Sequence, residues 1–350
     1  MNKIALITDL HFGARSANTV LLAHQERFYS TVFFPYLKAN GIDTVVCLGD
    51  TFDNRKATNN YIIEQSKKIF FDELHKNNIT SYFIVGNHDA AFKNSLEVNT
   101  IDLLTREYDN VISIDKPSTV SVKGVNICMI PWICADNYDD SMAMINTSPS
   151  DICFGHYEIE GFQMHRGVES HGGLSQSMFD RYDKVFSGHY HHRSTKKNIT
   201  YLGTPYEMTW ADYDDPKGFH IFDLETRELT FIENPNQLFL RLEYTDQPVS
   251  TINPDDIKDK YIKLIVVSKN DFYNFDNFVN ALQDYGAIDV KIIEDSIDYT
   301  SDFIDNDVKL EDTQSIIDIC IDAIETSIDK SKVKNLIQSL YLESLNSEIL

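Results

Sequence analysis

Residues 82–89 read Tyr82-Phe83-Ile84-Val85-Gly86-Asn87-His88-Asp89. Four apolar residues in a row, closed by glycine, suit a short strand buried on both faces. An amide, an imidazole and a carboxylate follow at once. The same order recurs along the chain: residues 4–7 run into Asp9-Leu10-His11, and residues 45–48 into Gly49-Asp50-Thr51-Phe52-Asp53. Residues 152–154 end in Gly155-His156, and residues 185–186 lead through Ser187 to Gly188-His189-Tyr190-His191. Taken singly, Asp50 is a turn residue, Asn87 a helix cap and His191 a solvated histidine. Five such groups in order, each behind a strand, point to convergence, because sites in open α/β sheets form beyond the carboxyl ends of the strands.

Working outward, further apolar runs fall at 125–130, 199–202 and 219–222, and apolar residues at helical spacing mark helices at 19–38, 59–76 and 94–106. Alternating strands and helices predict a layered α/β domain over residues 1–236. The composition changes after Pro235. Strands at 237–244, 261–267 and 288–293, with a helix at 274–284 stopped before Gly286, predict a small α/β unit over 237–298. Residues 294–330 hold twelve acidic and two basic side chains, which marks 299–312 as an acidic linker. Beyond it Ile317, Ile321, Ile324 and Ile328, then Val333, Leu336, Ile337 and Leu340, space out two amphipathic helices within 313–350.

The formal charge of −23 argues against tight unaided binding to nucleic acid, though not against a nucleic-acid substrate approached through bound cations or a basic partner. No apolar run is long enough for a membrane span or signal peptide, so a cytoplasmic protein is expected. Five scattered cysteines without a Cys-x-x-Cys pair read as reduced thiols rather than a disulfide frame or zinc knuckle. His24 and His75 read as surface residues on helices, and His192 as a neighbour of the ligand cluster. His165, Arg166 and His171 fall in a glycine-bearing loop suited to touching substrate.

Carboxylate, imidazole and amide donors without thiolate suit Mn²⁺, Fe²⁺ or Zn²⁺. A shared carboxylate can bridge two ions about 3.5–4 Å apart, the separation that clamps both oxygens of an in-line phosphoryl displacement. A dinuclear site for phosphoester cleavage is the expected outcome.

In order and spacing, the five groups from Asp9 to His191 resemble the calcineurin-like metallophosphoesterase superfamily. The unit after Pro235 and the helical tail resemble, within it, the nuclease subunits of the Mre and SbcD recombination-repair complexes and of tailed-phage recombination endonucleases. That resemblance implies a metallophosphoesterase β-sandwich flanked by helices, with a small α/β capping domain and C-terminal helices. It implies one metal on Asp9, His11, Asp50 and His191 and another on Asp50, Asn87, His156 and His189, with Asp50 as the bridge. It makes His88 the proton donor to the leaving oxygen and Asp89 the residue that orients His88 or its loop. Asp53 stands where these nucleases commonly carry a second catalytic histidine; it could hold His88 or a water, or equally cap a helix.

The function so implied is a Mn-dependent DNA exonuclease and single-strand endonuclease in DNA recombination, repair and replication. Its partners would be DNA, a Rad/SbcC-type SMC-like ABC ATPase bound through 313–350, and a second copy of the chain. The homodimer would form through helices 59–76 and 94–106, which carry Tyr61, Ile62, Ile69, Phe70, Leu96, Ile101 and Leu104. A metallophosphatase or cyclic-nucleotide phosphodiesterase of the same superfamily is the alternative. The complete ligand set disfavours a binding module that has lost its metals.

Overall fold

The computed structural model describes residues 2–165, 168–170 and 172–294. Two six-stranded sheets dominate. In the first, the order is Leu229–Glu233, Gly218–Asp223, Lys3–Ile7, Thr44–Cys47, Thr80–Ile84 and Val111–Ile114. The last four strands run parallel and the first two antiparallel. In the second, the order is Ser194–Lys196, Ile199–Tyr201, Lys184–Gly188, Ile152–His156, Val125–Ile130 and Ser118–Val122, with the four central strands parallel.

Strand periodicity explains the layering. Successive side chains point to opposite faces, so Ile4, Leu6, Val46, Leu48 and Ile84 meet Ile127, Met129, Ile152, Phe154 and Phe186 in one buried cluster between the sheets. Their neighbours Ala5, Ile7, Val45, Cys47 and Phe83 face outward into a second cluster with Leu21, Phe28, Phe33, Phe70 and Phe71 from the helices. Cys128, Ile130, Cys153 and Val185 enter a third with Ile145. Helix, sheet, sheet and helix are thus the four layers, with apolar residues on both faces of each central strand.

The helix expected at 19–38 runs from Thr19–Phe28 through a π-helical turn at Tyr29–Phe33 into Phe34–Asn40. The one at 59–76 is interrupted in the same way at Lys67–Phe71. Residues 94–106 differ from expectation: Ser95–Asn99 is a strand paired with Ala90–Phe92, and only Thr100–Leu104 is helical. Asn99 decides the boundary, because its side chain accepts the backbone N–H of Asp102 and so caps the helix there. Of the residues named for self-association, Ile62, Ile69, Phe70, Leu96 and Ile101 are buried in the chain's own core, and Leu104 packs against it. Tyr61 is exposed, as are Phe92, Val98 and Leu103.

After Pro235, strands Phe239–Thr245, Tyr261–Ser268 and Asp289–Ile293 form a parallel three-stranded sheet. Asp271 caps the helix Phe272–Asp284, which buries Phe275, Phe278 and Leu282 in a separate apolar cluster with Leu264 and Tyr244. Glu207 ties this part to the rest by accepting the backbone N–H groups of Leu238 and Phe239 at 2.6 and 3.0 Å. The expected linker and tail helices lie outside the described residues. Among the described residues, Cys47, Cys128, Cys134 and Cys153 are buried free thiols. No described helix is long and apolar enough to cross a membrane.

Candidate metal centre

The parallel strands end together, and the residues behind them meet across the two sheets. His156 Nδ1, from the second sheet, donates to the carbonyl of Leu48 in the first at 2.7 Å. The backbone N–H of His189 reaches both carboxylate oxygens of Asp9 at 3.1 Å. Asp9, His11, Asp50 and His189 all take positive φ angles of 53, 45, 52 and 87°. Such conformations cost about 1–3 kcal/mol each in a residue with a Cβ and persist where the surroundings dictate them. Gly49, at φ 108°, has no room for a side chain, because a Cβ would strike the His156 ring.

The donor atoms fall into two groups. Asp9, His11 and His191 form one, with His11 Nε2 and His191 Nε2 3.2 Å apart. Asp50, His156 and His189 form the other. Asn87 joins the second: its Oδ1 lies 3.0 Å from both His156 Nε2 and His189 Nδ1. Asp50 Oδ2 stands between the groups, 3.3 Å from His156 Nε2 and 3.9 Å from His11 Nε2. Its other oxygen accepts the backbone N–H of His88 at 2.8 Å.

These residues fit divalent cations. Asp9, His11, Asp50 and His156 are almost wholly buried, and together with Asn87, His189 and His191 they offer the nitrogen and oxygen donors that divalent cations take. In the protein alone the buried groups shift one another's ionisation. Burial pushes the Asp9 carboxyl up to about 7 against the pull of His156, with Asp50 adding to the rise. Burial opposes ionisation of Asp50 too, but His156 and His88 hold it well below the usual carboxylate range. His156 is lifted to about 9 despite its burial, chiefly by Asp50, whereas burial and His156 press His189 down to about 3.

His11, Asp53 and His88 also lie close enough to share a cation. Here, however, each imidazole turns Nδ1 toward an acceptor on Asp53: His11 to the carboxylate at 3.1 Å, His88 to the backbone carbonyl at 2.7 Å. The second is a hydrogen bond that fixes the His88 ring, and the first is a close charge contact rather than a hydrogen bond. Asp53 caps no helix. Asp89 takes the backbone N–H groups of Thr51, Phe52 and Gly86, each at 3.0 Å, and so holds together the loop that carries His88 and the loop after Asp50.

His192 lies beside the cluster and pairs with Asp215 at 3.0 Å. His75 is exposed, but His24 is buried against Tyr206, contrary to the expectation of a surface residue. Arg166 and His171 lie outside the described residues. Sequence reasoning missed Trp132, whose ring sits 5.0 Å from that of His189. Its signal was available, since Pro131-Trp132 follows the apolar run at 125–130, another of the parallel strands. It also missed Lys217, buried between Asp212 and Asp215 and donating to the His191 carbonyl at 2.9 Å.

The chain belongs to the calcineurin-like phosphoesterase family, whose model matches residues 2–193 and so spans every ligand candidate. It is a phosphoester hydrolase of a family that uses divalent metals. Over nearly its whole length it is similar to Exonuclease subunit 1 of Enterobacteria phage T4, at 34% identity across 98% of this chain and 99% of that one. It is also similar to the SbcD subunit of the SbcCD nuclease of Staphylococcus epidermidis, at 23% identity across 96% of this chain and 98% of that one. A solved archaeal phosphodiesterase overlaps 66% of this chain and 99% of its own, at 14% identity and a TM-score of 0.34.

Proposed function

We propose that this chain is a Mn²⁺-dependent DNA nuclease, acting as exonuclease and single-strand endonuclease in recombination, repair and replication. The observation that carries the reading is the end-to-end similarity to a phage exonuclease subunit, which includes the part after Pro235 and the tail rather than the metal-binding core alone. Nitrogen and oxygen donors without thiolate support manganese. Asp9, His11, Asp50 and His191 would hold one ion and Asp50, Asn87, His156 and His189 the other, with Asp50 shared. When bound, such a pair supplies Lewis acidity to the phosphoryl oxygens and makes a nucleophilic water available near neutral pH.

The chain's own residues do the rest. His88 is held by its Nδ1–H to the Asp53 carbonyl, which orients the ring. When Nε2 too carries a proton, in the imidazolium form, it can deliver that proton to the leaving sugar oxygen and leave the ring neutral. Leu48 holds the His156 ring, and the Asp53 carboxylate lies against His11 Nδ1, so that the opposite nitrogen of each faces the ligand cluster. Asp89 fixes the loops bearing Asp50 and Asn87.

In this reading residues 1–236 are the nuclease domain, 237–298 a capping domain, 299–312 a linker and 313–350 the docking segment for an SMC-like ABC ATPase. The subunit designation of the staphylococcal relative supports an ATPase partnership. The strong net negative charge supports assigning duplex binding mainly to that partner. Exposed Tyr61, Phe92, Val98 and Leu103 support a self-association surface at the 59–104 region. The test is to incubate the purified chain with Mn²⁺ and labelled single- and double-stranded DNA beside a generic phosphodiester. Cleavage of single-stranded DNA, abolished by chelation, is expected. Hydrolysis of the generic ester with DNA left intact would instead identify a phosphatase or cyclic-nucleotide phosphodiesterase.

A further inference from the structure

Away from the metal centre, one cavity reverses the chain's overall charge. It measures about 370 Å³ and is lined by Lys184, Arg193, Lys197 and Arg227, with His220 and Phe231 in its wall. Glu228 is the one carboxylate among its lining residues. In a chain of 54 acidic and 31 basic residues, such a cluster is no sample of the average surface. The cavity lies where the edge strands of the two sheets face each other. Lys184 begins the strand whose far end, Gly188, leads into His189, so strand rise alone separates Lys184 from the ligand end by roughly 13 Å.

Two of its lining residues carry a buried nitrogen with no hydrogen-bond partner among the described residues: His220 Nδ1 and Arg227 Nη1. His220 is 2% exposed. Burial, with the nearby Arg193 charge, presses its pKa down to about 3, so the ring is neutral near neutral pH and can present an N–H. Arg193 lies over the Phe231 ring at 4.2 Å, a contact that positions the guanidinium without neutralising it. Among the described residues no carboxylate pairs with Lys184, Arg193 or Arg227, while exposed Lys197 reaches Asp180 at 3.6 Å.

We propose that this cavity binds a phosphate group, either free or carried on a mononucleotide. Guanidinium forks match phosphate oxygens in bidentate geometry, and lysine adds a point charge. His220 and Arg227, both in the lining, each hold a buried nitrogen with no partner among the described residues, which a diffuse basic patch lacks. The volume lies within the range of about 300–1,000 Å³ typical of small-ligand sites. The assignment is independent of the nuclease reading, since it uses none of the metal ligands.

Calorimetric titration of the full chain in the presence of a chelator, which silences the metal centre, tests it with inorganic phosphate and with 2′-deoxyadenosine 5′-monophosphate at constant ionic strength. One saturable site per chain is expected, weakened at least about tenfold by Arg227→Gln and again by Lys184→Gln. Melting curves establish that each variant is folded, and the second variant serves if the first is not. Tighter binding of the nucleotide identifies it as the occupant, whereas equal affinities identify the phosphate group alone. Absence of saturable binding, or affinity unchanged in both folded variants, overturns the proposal.

Discussion

Replacing Asp53 by alanine separates two jobs that one residue performs with different atoms. Its carboxylate lies 3.1 Å from His11 Nδ1, whereas its backbone carbonyl accepts His88 Nδ1 at 2.7 Å. The substitution removes the first contact and leaves the second. His11 is 1% exposed, so removing the facing carboxylate would take away the negative charge that favours a cation at the opposite ring nitrogen. Outer partners of metal-bound histidines are worth about 10–100-fold in affinity, or roughly 1.4–2.7 kcal/mol. With the Asp53 side chain 15% exposed, solvent screens little of this. Asp53→Asn loses the same charge and should weaken the site comparably. The assay is Mn²⁺ titration by calorimetry near neutral pH. One site should weaken by that factor while the other, built on Asn87, His156 and His189, keeps its affinity. Equal weakening of both sites would refute the reasoning, as would unchanged binding with a lost rate, because Asp53 would then act on His88 or on the substrate.

Three further expectations follow from other parts of the molecule. His88→Ala should keep its metal content while cleavage slows by about 10²–10⁴, the usual worth of a general acid, and metal analysis beside single-turnover rates checks it. His24 is buried with its pKa pressed to about 4, below the unfolded value of 6.5. The stability this confers is therefore present above pH 6.5 and lost as pH falls toward 4, amounting to about 2 kcal/mol by pH 5. Urea titrations at neutral pH and near pH 5 should show His24→Leu losing less stability than the parent by about that amount, and equal losses would contradict it. Deleting the residues after Asp302 should leave metal-dependent cleavage of short single-stranded DNA nearly intact but abolish capture of the ATPase and any ATP-stimulated attack on duplex DNA, as a pull-down paired with a nuclease assay would record.

Much of the centre was legible because its determinants are local. An apolar run of four, a glycine and a ligand occupy a handful of adjacent positions, and parallel strands bring such ends to one edge. The contacts that tune the ligands were not, since each joins residues far apart: His156 to the Leu48 carbonyl, Lys217 to the His191 carbonyl, Trp132 to the His189 ring. His24 shows the same limit in the core, because helical spacing gives its face but not the Tyr206 ring that covers it. Residues 95–99 read as helix from sequence because Val98, Ile101 and Leu104 stand three apart, a helical spacing, and the pairing with Ala90–Phe92 that makes 95–99 a strand is a tertiary fact. Leu229–Glu233 escaped notice for a related reason: an edge strand half-exposed on one face carries too short an apolar run to stand out.

The central claim is that Asp50 joins two ions in one site. Anomalous diffraction from crystals grown with Mn²⁺, with the same measurement on Asp50→Asn, tests it most directly. The account predicts two peaks about 3.5–4 Å apart that both contact Asp50 in the parent, and loss of both ions together with activity in the variant. A single peak, or two ions retained with activity in Asp50→Asn, would contradict it.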